Sequence, residues 1–194
     1  MDLHLLNKEQ KIAVEHQNGP LLVLSGAGTG KTRVLTSRFV YIVKNLNIDF
    51  HKIIAVTFTN KAANEIKERV NKELQHNIDS PWIGTFHSIF AKFLRKHSQL
   101  VKLKYNFNIL DTDDQKKLLK QVIEFCKMDN DVNESIYLNE IQNLKDQKIL
   151  SNEKLKISKF SSIEGISDIY KLYQERLLEI NGVDFGDILL HSYQ

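Results

Sequence analysis

"PLLVLSGAGTGKTRVL", Pro20 to Leu35, changes character twice. An apolar, branched run ends at Ser25, small residues fill positions 25 to 30, and a helix-like pattern starts at Lys31. Strand, glycine-rich loop and helix in direct succession are what a phosphate cradle needs. Small residues let backbone N–H groups curl around phosphate oxygens at a helix N-terminus, where the partial positive charge lies. The usual spacing is G-x-x-x-x-G-K-[ST]. Ser25 stands at its first position, Gly30, Lys31 and Thr32 at its last three, and Gly26, Ala27, Gly28 and Thr29 lie between. Ser25 departs from the strict glycine but remains small. In such a loop Lys31 is expected to neutralise the β- and γ-phosphates and the Thr32 hydroxyl to ligate Mg²⁺.

Two more apolar, β-rich runs follow, "KIIAVTFT" from Lys52 and "WIGTF" from Trp82. Each of the three runs leads into a segment with apolar residues at helical spacing, for example Val34, Phe39, Ile42 and Val43 after the loop. Strand and helix alternating without hairpin turns predict parallel strands joined by crossover helices, an α/β fold. A short helix from about Asn7 to His16 precedes them. It carries Gln10, whose amide can pair with the edge of adenine and select ATP, or can instead close a capping interaction with Asn7.

Beyond Phe107 the strand signals fade. "DTDDQKKLLKQVIEFC" predicts a helix opened by a capping box from Thr112 to Gln115, with Leu118, Leu119, Val122, Ile123 and Cys126 on one face. Further helices are expected over Glu134 to Gln147 and Ile163 to Ile180, the last stopping at Asn181-Gly182. Asp184 and Asp187 of "VDFGD" read as turn and helix-cap residues rather than a metal site. No repeat or low-complexity tract interrupts the chain.

Of the 194 residues 42% are hydrophobic, enough for one core and a small second subdomain. The formal net charge of +3 conceals an asymmetry: residues 1 to 105 carry 16 Lys+Arg against 8 Asp+Glu, and residues 106 to 194 carry 11 against 16. A polyanion would therefore meet the N-terminal half. No apolar run approaches the roughly 20 residues of a membrane span, and "MDLHLLNKEQ" does not read as a signal peptide, so a cytoplasmic protein that meets no membrane is expected. The single cysteine, Cys126, reads as a core thiol.

Taken together, the motifs resemble the UvrD/Rep/PcrA group of superfamily 1 DNA helicases over nearly the whole chain. "LNKEQKIAV" looks like that group's Q motif and "LVLSGAGTGKTRVLTSR" its motif I. "IAVTFTNKAANEIKERV" looks like motif Ia, "IGTFHSIFAKFLR" like motif Ib, and "VDFGDILL" like the segment that re-enters the first motor domain after a helical insertion. The resemblance implies an incomplete RecA-like parallel sheet over residues 1–105, a helical insertion subdomain over 106–181 and a re-entry segment over 182–194. It implies an ATP-dependent 3′ to 5′ DNA helicase, acting on single-stranded DNA and single/double-strand junctions. ATP is expected at Gln10, Ser25 to Thr32 and Arg33, and DNA at Phe58, Thr59, Asn60, Thr85, Phe86 and His87. The acidic pair of the family, which serves Mg²⁺ and water activation, would follow "DFGDILL", and the second motor domain would follow later. The chain reaches Gln194 first, so these 194 residues are expected not to turn over ATP alone. A catalytically inactive ATP- or DNA-binding module is the competing reading. A small-molecule kinase would leave motifs Ia and Ib as coincidence.

Overall fold

The computed structural model describes residues 5–26, 28–75, 82–126 and 133–194. Contacts divide the chain into two compact units, Met1–Ile89 and Phe90–Gln194.

In the first unit, α1 (Lys8–Glu15) is opened by a reciprocal capping box between Asn7 and Gln10. It packs on α2 (Lys31–Lys44) through Ala13, Val14 and Val34. The Arg38 guanidinium of α2 donates to the Ala13 carbonyl at 2.9 Å and also to that of His16, so the open end of α1 is satisfied by its neighbour. A second cluster joins Phe39 and Val40 of α2 to Ala55 of β1 (Ala55–Thr57), Ile66, Val70 and Leu74 of α3 (Asn60–Leu74) and Ile83 of β2 (Ile83–Thr85). The two strands are parallel, with Ala55 opposite Ile83, Val56 opposite Gly84 and Thr57 opposite Thr85, and α3 is the crossover between them. Here α/β alternation takes the form the spacing predicts.

The sheet is smaller than expected. Pro20 to Ser25 takes no regular secondary structure and no ladder forms on it among the described residues, so the first of the three predicted strands is absent as a strand. The reason is lateral: a strand exists only with a hydrogen-bonded neighbour. Between this run and β1 lies a cavity of about 510 Å³ lined by Leu21, Val23, Val34, Thr57 and Ile66, while Leu22 and Leu24 point to solvent, 80% and 83% exposed. The second run shrinks to three residues because Phe50–Lys52 forms a 3₁₀ turn and Thr59 already caps α3, accepting from the Ala62 N–H at 3.2 Å.

The second unit holds the later turns of α4 (Phe86–Lys96), then β3 (Asn108–Ile109), α5 (Thr112–Phe125), α6 (Glu134–Asp146), α7 (Lys154–Phe160), α8 (Ile166–Glu179), β4 (Gly182–Val183) and α9 (Phe185–Tyr193). Its core gathers Leu119, Val122 and Ile123 of α5, Tyr137, Ile141 and Leu144 of α6, Ile157 of α7, and Ile166, Ile169, Tyr170, Tyr173 and Leu177 of α8. For α5 and α8 these are faces that helical spacing selects, Ile180 being expected with the α8 stripe as well, but Ile180 is half exposed past the end of α8. Helix α5 begins one residue earlier than expected. Asp111 is its N-cap, accepting from the Asp114 N–H, and Gln115 turns inward instead, donating to the Leu110 carbonyl at 3.0 Å. Cys126, at the C-terminal end of α5, is partly buried against this core, and burial raises its thiol pKa, with Asp168 adding to the effect. The two-residue strands β3 and β4 pair in parallel, so residues 182–194, expected as a re-entry segment, pack within this unit.

Asp184 and Asp187 do cap α9, in a reciprocal capping box. They also do something the sequence hides. Both carboxylates are buried and meet the Lys145 ammonium of α6 at 2.6 and 2.7 Å, with side chains only 1–2% exposed. The Tyr173 hydroxyl donates to Asp184 and the Gln174 amide to Asp187. Burial, then the charge of Asp187, raises the pKa of Asp184 more than Lys145 lowers it. For Asp187 burial also pushes upward, but Lys145 and His191 prevail and hold it below the usual carboxylate value. One ammonium thus balances one firmly ionised carboxylate and a second that accepts a proton more readily.

Candidate nucleotide loop and aromatic platform

The glycine-rich loop sits at the N-terminus of α2, and its backbone explains its composition. Gly28 and Gly30 take φ of +76° and +90°, where a side chain is strained. Gly30 is the N-cap of α2 and offers no side-chain acceptor. A Cβ there would also stand 3.2 Å from the Gln10 amide nitrogen. The first-turn N–H groups of α2 therefore face outward without a capping side chain, as an anion site requires.

Lys31 folds back over the loop. Its ammonium donates to the carbonyls of Ser25 and Gly26, each at 2.8 Å. The Thr29 hydroxyl closes the same turn on Gly26 at 2.8 Å. Gln10 spends both ends of its amide: the oxygen accepts from the Asn7 N–H at 3.1 Å, and the nitrogen donates to the Thr29 carbonyl at 3.1 Å. Gln10, Ser25, Thr29 and Lys31 line one cavity of about 150 Å³. Thr32 lies half-buried on the larger cavity, and Arg33 is exposed on the first turn. Ala27 lies outside the described residues. Among the described residues no cluster of three or more His, Cys, Asp or Glu could hold a metal ion.

The second constellation follows from strand register. Because Thr57 and Thr85 are direct partners, the residues after them, Phe58 and Phe86, emerge side by side. Their ring centroids lie 6.4 Å apart at 54°, with Phe58 94% and Phe86 45% exposed. Helices α3 and α4 both start at this edge, so Asn60 and His87, in their first turns, share it with the Thr59 cap. Thr85 turns inward along the chain, its hydroxyl accepting from the Ser88 N–H at 3.3 Å. The arrangement offers two apolar ring faces beside two helix N-termini. Flat rings stack on bases of any sequence, and helix-start N–H groups suit phosphate oxygens.

A profile of the UvrD/REP helicase N-terminal domain matches residues 6–194. The chain belongs to this helicase family. Among curated proteins it is similar to a probable DNA helicase II homolog of Mycoplasma capricolum, 38% identical over 99% of the chain and 27% of that protein. It is similar to the ATP-dependent DNA helicase PcrA of Leuconostoc citreum, 36% identical over 95% of the chain and 25% of that protein. PcrA of Staphylococcus aureus is 35% identical over 97% of the chain and 26% of that protein. The chain thus spans about a quarter of the length of the relatives it matches. No described helix is long and apolar enough to cross a membrane.

Within this family domain, the residues that the sequence singles out fall into two groups. The structure brings Gln10, Ser25, Thr29 and Lys31 together at the loop, and Phe58, Thr59, Asn60, Phe86 and His87 together at the strand ends. Lys145, the residue that sequence reasoning missed, is polar in an amphipathic helix and lies 39 positions from Asp184. Helical spacing assigns such a lysine to solvent, and no local signal contradicts that.

Proposed function

We propose that this chain is the N-terminal, ATP-binding and single-stranded-DNA-contacting part of an ATP-dependent 3′ to 5′ DNA helicase. The observation that carries the reading is the pairing of two features in one small unit: a lysine-bearing glycine loop at an uncapped helix start, and two exposed phenylalanines set side by side by strand register.

In this reading the Lys31 ammonium exchanges the Ser25 and Gly26 carbonyls for the β- and γ-phosphate oxygens of ATP, and the α2 N–H groups take the remaining charge. Thr32 would hold Mg²⁺, which would neutralise phosphate charge when bound. Gln10 already touches the loop through Thr29, so adenine recognition through the same amide requires it to release a capping bond. Phe58 and Phe86 hold bases by stacking, and Thr59, Asn60, Thr85 and His87 meet the backbone. Stacking is tolerant of sequence, as translocation demands. Turnover is proposed to need more than these residues. P-loop hydrolysis uses an acidic group for Mg²⁺, and among the described residues neither β1 nor β2 ends in one.

The test is binding of a fluorescent ATP analogue with Mg²⁺, by wild type and Lys31→Ala. Saturable binding lost in the variant supports the reading. Equal affinity in the two proteins overturns the loop assignment.

A further inference from the structure

Charge in the second unit is strongly segregated. From Phe90 to Leu110 the sequence holds five Lys or Arg and no Asp or Glu, whereas from Asp111 to Gln194 it holds 11 Lys+Arg against 16 Asp+Glu. The five cations are Lys92, Arg95, Lys96, Lys102 and Lys104. Local structure turns all of them outward. On α4, Ala91 and Leu94 are buried, so Lys92, Arg95 and Lys96 share the opposite, solvent side at helical spacing. After the 3₁₀ turn Ser98–Val101, Leu103 is buried at 5%, and its neighbours Lys102 and Lys104 are both exposed.

This segment is fixed in place. Lys102 adopts φ +60°, with its N–H bonded to the Gln99 and Ser98 carbonyls, and the Lys104 N–H donates to the Asn181 side chain at 2.8 Å. The Arg95 guanidinium lies 5.0 Å over the Phe107 ring. Among the described residues Arg95, Lys96, Lys102 and Lys104 make no ion pair, whereas Lys117, Lys145, Lys154, Lys156, Lys171 and Arg176 each face a carboxylate. Exposed flat or apolar side chains lie among the cations: Phe93 at 40%, Leu100 at 83% and Tyr105 at 75%. The helix dipole accounts for Arg95 and Lys96 in the last turn of α4. It does not account for Lys102 and Lys104, which lie beyond the helix.

We propose that the exposed basic run Lys92–Lys104, with Tyr105 beside it, is a second contact for single-stranded DNA, holding phosphates where Phe58 and Phe86 hold bases. The inference rests on the DNA-binding reading above. The charge complementarity selects a polyanion, and the interleaved rings select one with unpaired bases.

The experiment measures anisotropy of a labelled oligo-dT with the 194-residue chain across a salt series. Three variants accompany wild type: Lys96→Gln/Lys102→Gln/Lys104→Gln, the same three positions changed to Arg, and Phe58→Ala/Phe86→Ala. Each phosphate contact to single strands contributes about 0.7 to the slope of log affinity against log salt. The Gln variant should lose a slope of about 2, so that raising salt from about 50 to 200 mM costs wild type about 20-fold more affinity than the variant. The Arg variant should keep the wild-type slope, and the phenylalanine variant should lose affinity at unchanged slope. If wild type binds and the Gln variant shows its full slope, this inference fails while the DNA reading stands. If wild type binds no oligo-dT, both fail. Tighter binding to a blunt duplex, with a slope carried by the same lysines, overturns the single-strand assignment.

Discussion

Replacing Lys145 by Met removes an ammonium that is 1% exposed and lies 2.6 and 2.7 Å from two carboxylates that are themselves 1–2% exposed. Methionine fills a similar volume, so the loss is electrostatic rather than a cavity. Removing one partner from a buried ion pair costs about 3–5 kcal/mol, because the remaining charge stays desolvated. Here two carboxylates are left, and both are tied to the α9 capping box and cannot swing to water without opening it. For a unit of this size about 1 kcal/mol moves the melting temperature by roughly 4–8 °C, so the shift should exceed about 12 °C near neutral pH. The pH dependence is the sharper test. Asp184 already has a raised pKa, and without Lys145 both carboxylates rise. A group whose pKa is higher folded than unfolded opposes folding when ionised. The penalty should therefore shrink as pH falls from 7.5 toward 5, with proton uptake by the folded variant. Urea melts followed by circular dichroism at both pH values measure this. A penalty below about 1 kcal/mol, or one that does not depend on pH, would refute the argument that Lys145 is what makes these two carboxylates tolerable.

In wild type, Asp187→Asn should destabilise more than Asp184→Asn. The Asp187 pKa lies below its ordinary value, so its ionised form stabilises the fold above about pH 4 and that support is lost as pH falls below it; equal melting temperatures for the two variants at pH 7 would contradict the order. Phe58→Ala and Phe86→Ala should each weaken single-strand binding by about 1–3 kcal/mol, roughly 5- to 150-fold, without changing sequence preference; equilibrium titration with oligo-dT and oligo-dA checks both. Gly30→Ala should weaken Mg-ATP binding, because φ of +90° strains any side chain there; calorimetric titration with unchanged affinity would show that the loop reshapes freely. Leu22→Lys with Leu24→Lys should leave the melting temperature within about 1 kcal/mol equivalent, since both side chains are mostly exposed.

Helices were legible because their information is local. The apolar stripe of α8, from Ile166 to Leu177, is written at helical spacing and is buried where that spacing puts it. The caps of α1 and α9 need only residues three apart. Strands carry less local information. "PLLVLS" and "KIIAVTFT" look alike as runs, yet only the second finds a neighbour, because pairing depends on what chain lies alongside rather than on β-propensity. Helix α7 carries no local signature because it buries one residue, Ile157, and leaves no stripe. Of the candidate site, the loop was fully written in its spacing, while the meeting of Phe58 and Phe86 depends on a register between segments 28 residues apart.

That register also explains why the two candidate contacts occupy opposite kinds of backbone. The loop needs positive φ at Gly28 and Gly30, a strained turn that only glycine adopts cheaply. The platform needs no special backbone at all. It needs two parallel strands to end level, so that each next residue is thrown outward and each following helix begins there. Parallel pairing through a crossover helix delivers both conditions at once, since strand ends and helix starts fall on one edge of the sheet. The candidate contacts gather at that edge for a geometric reason. Moving Phe86 one residue along the chain would point the ring to the other face of the sheet. A one-residue insertion between Thr85 and Phe86 should accordingly abolish the aromatic contribution to single-strand affinity while leaving Mg-ATP binding intact. If both bind as before, the level strand ends are not what builds the platform.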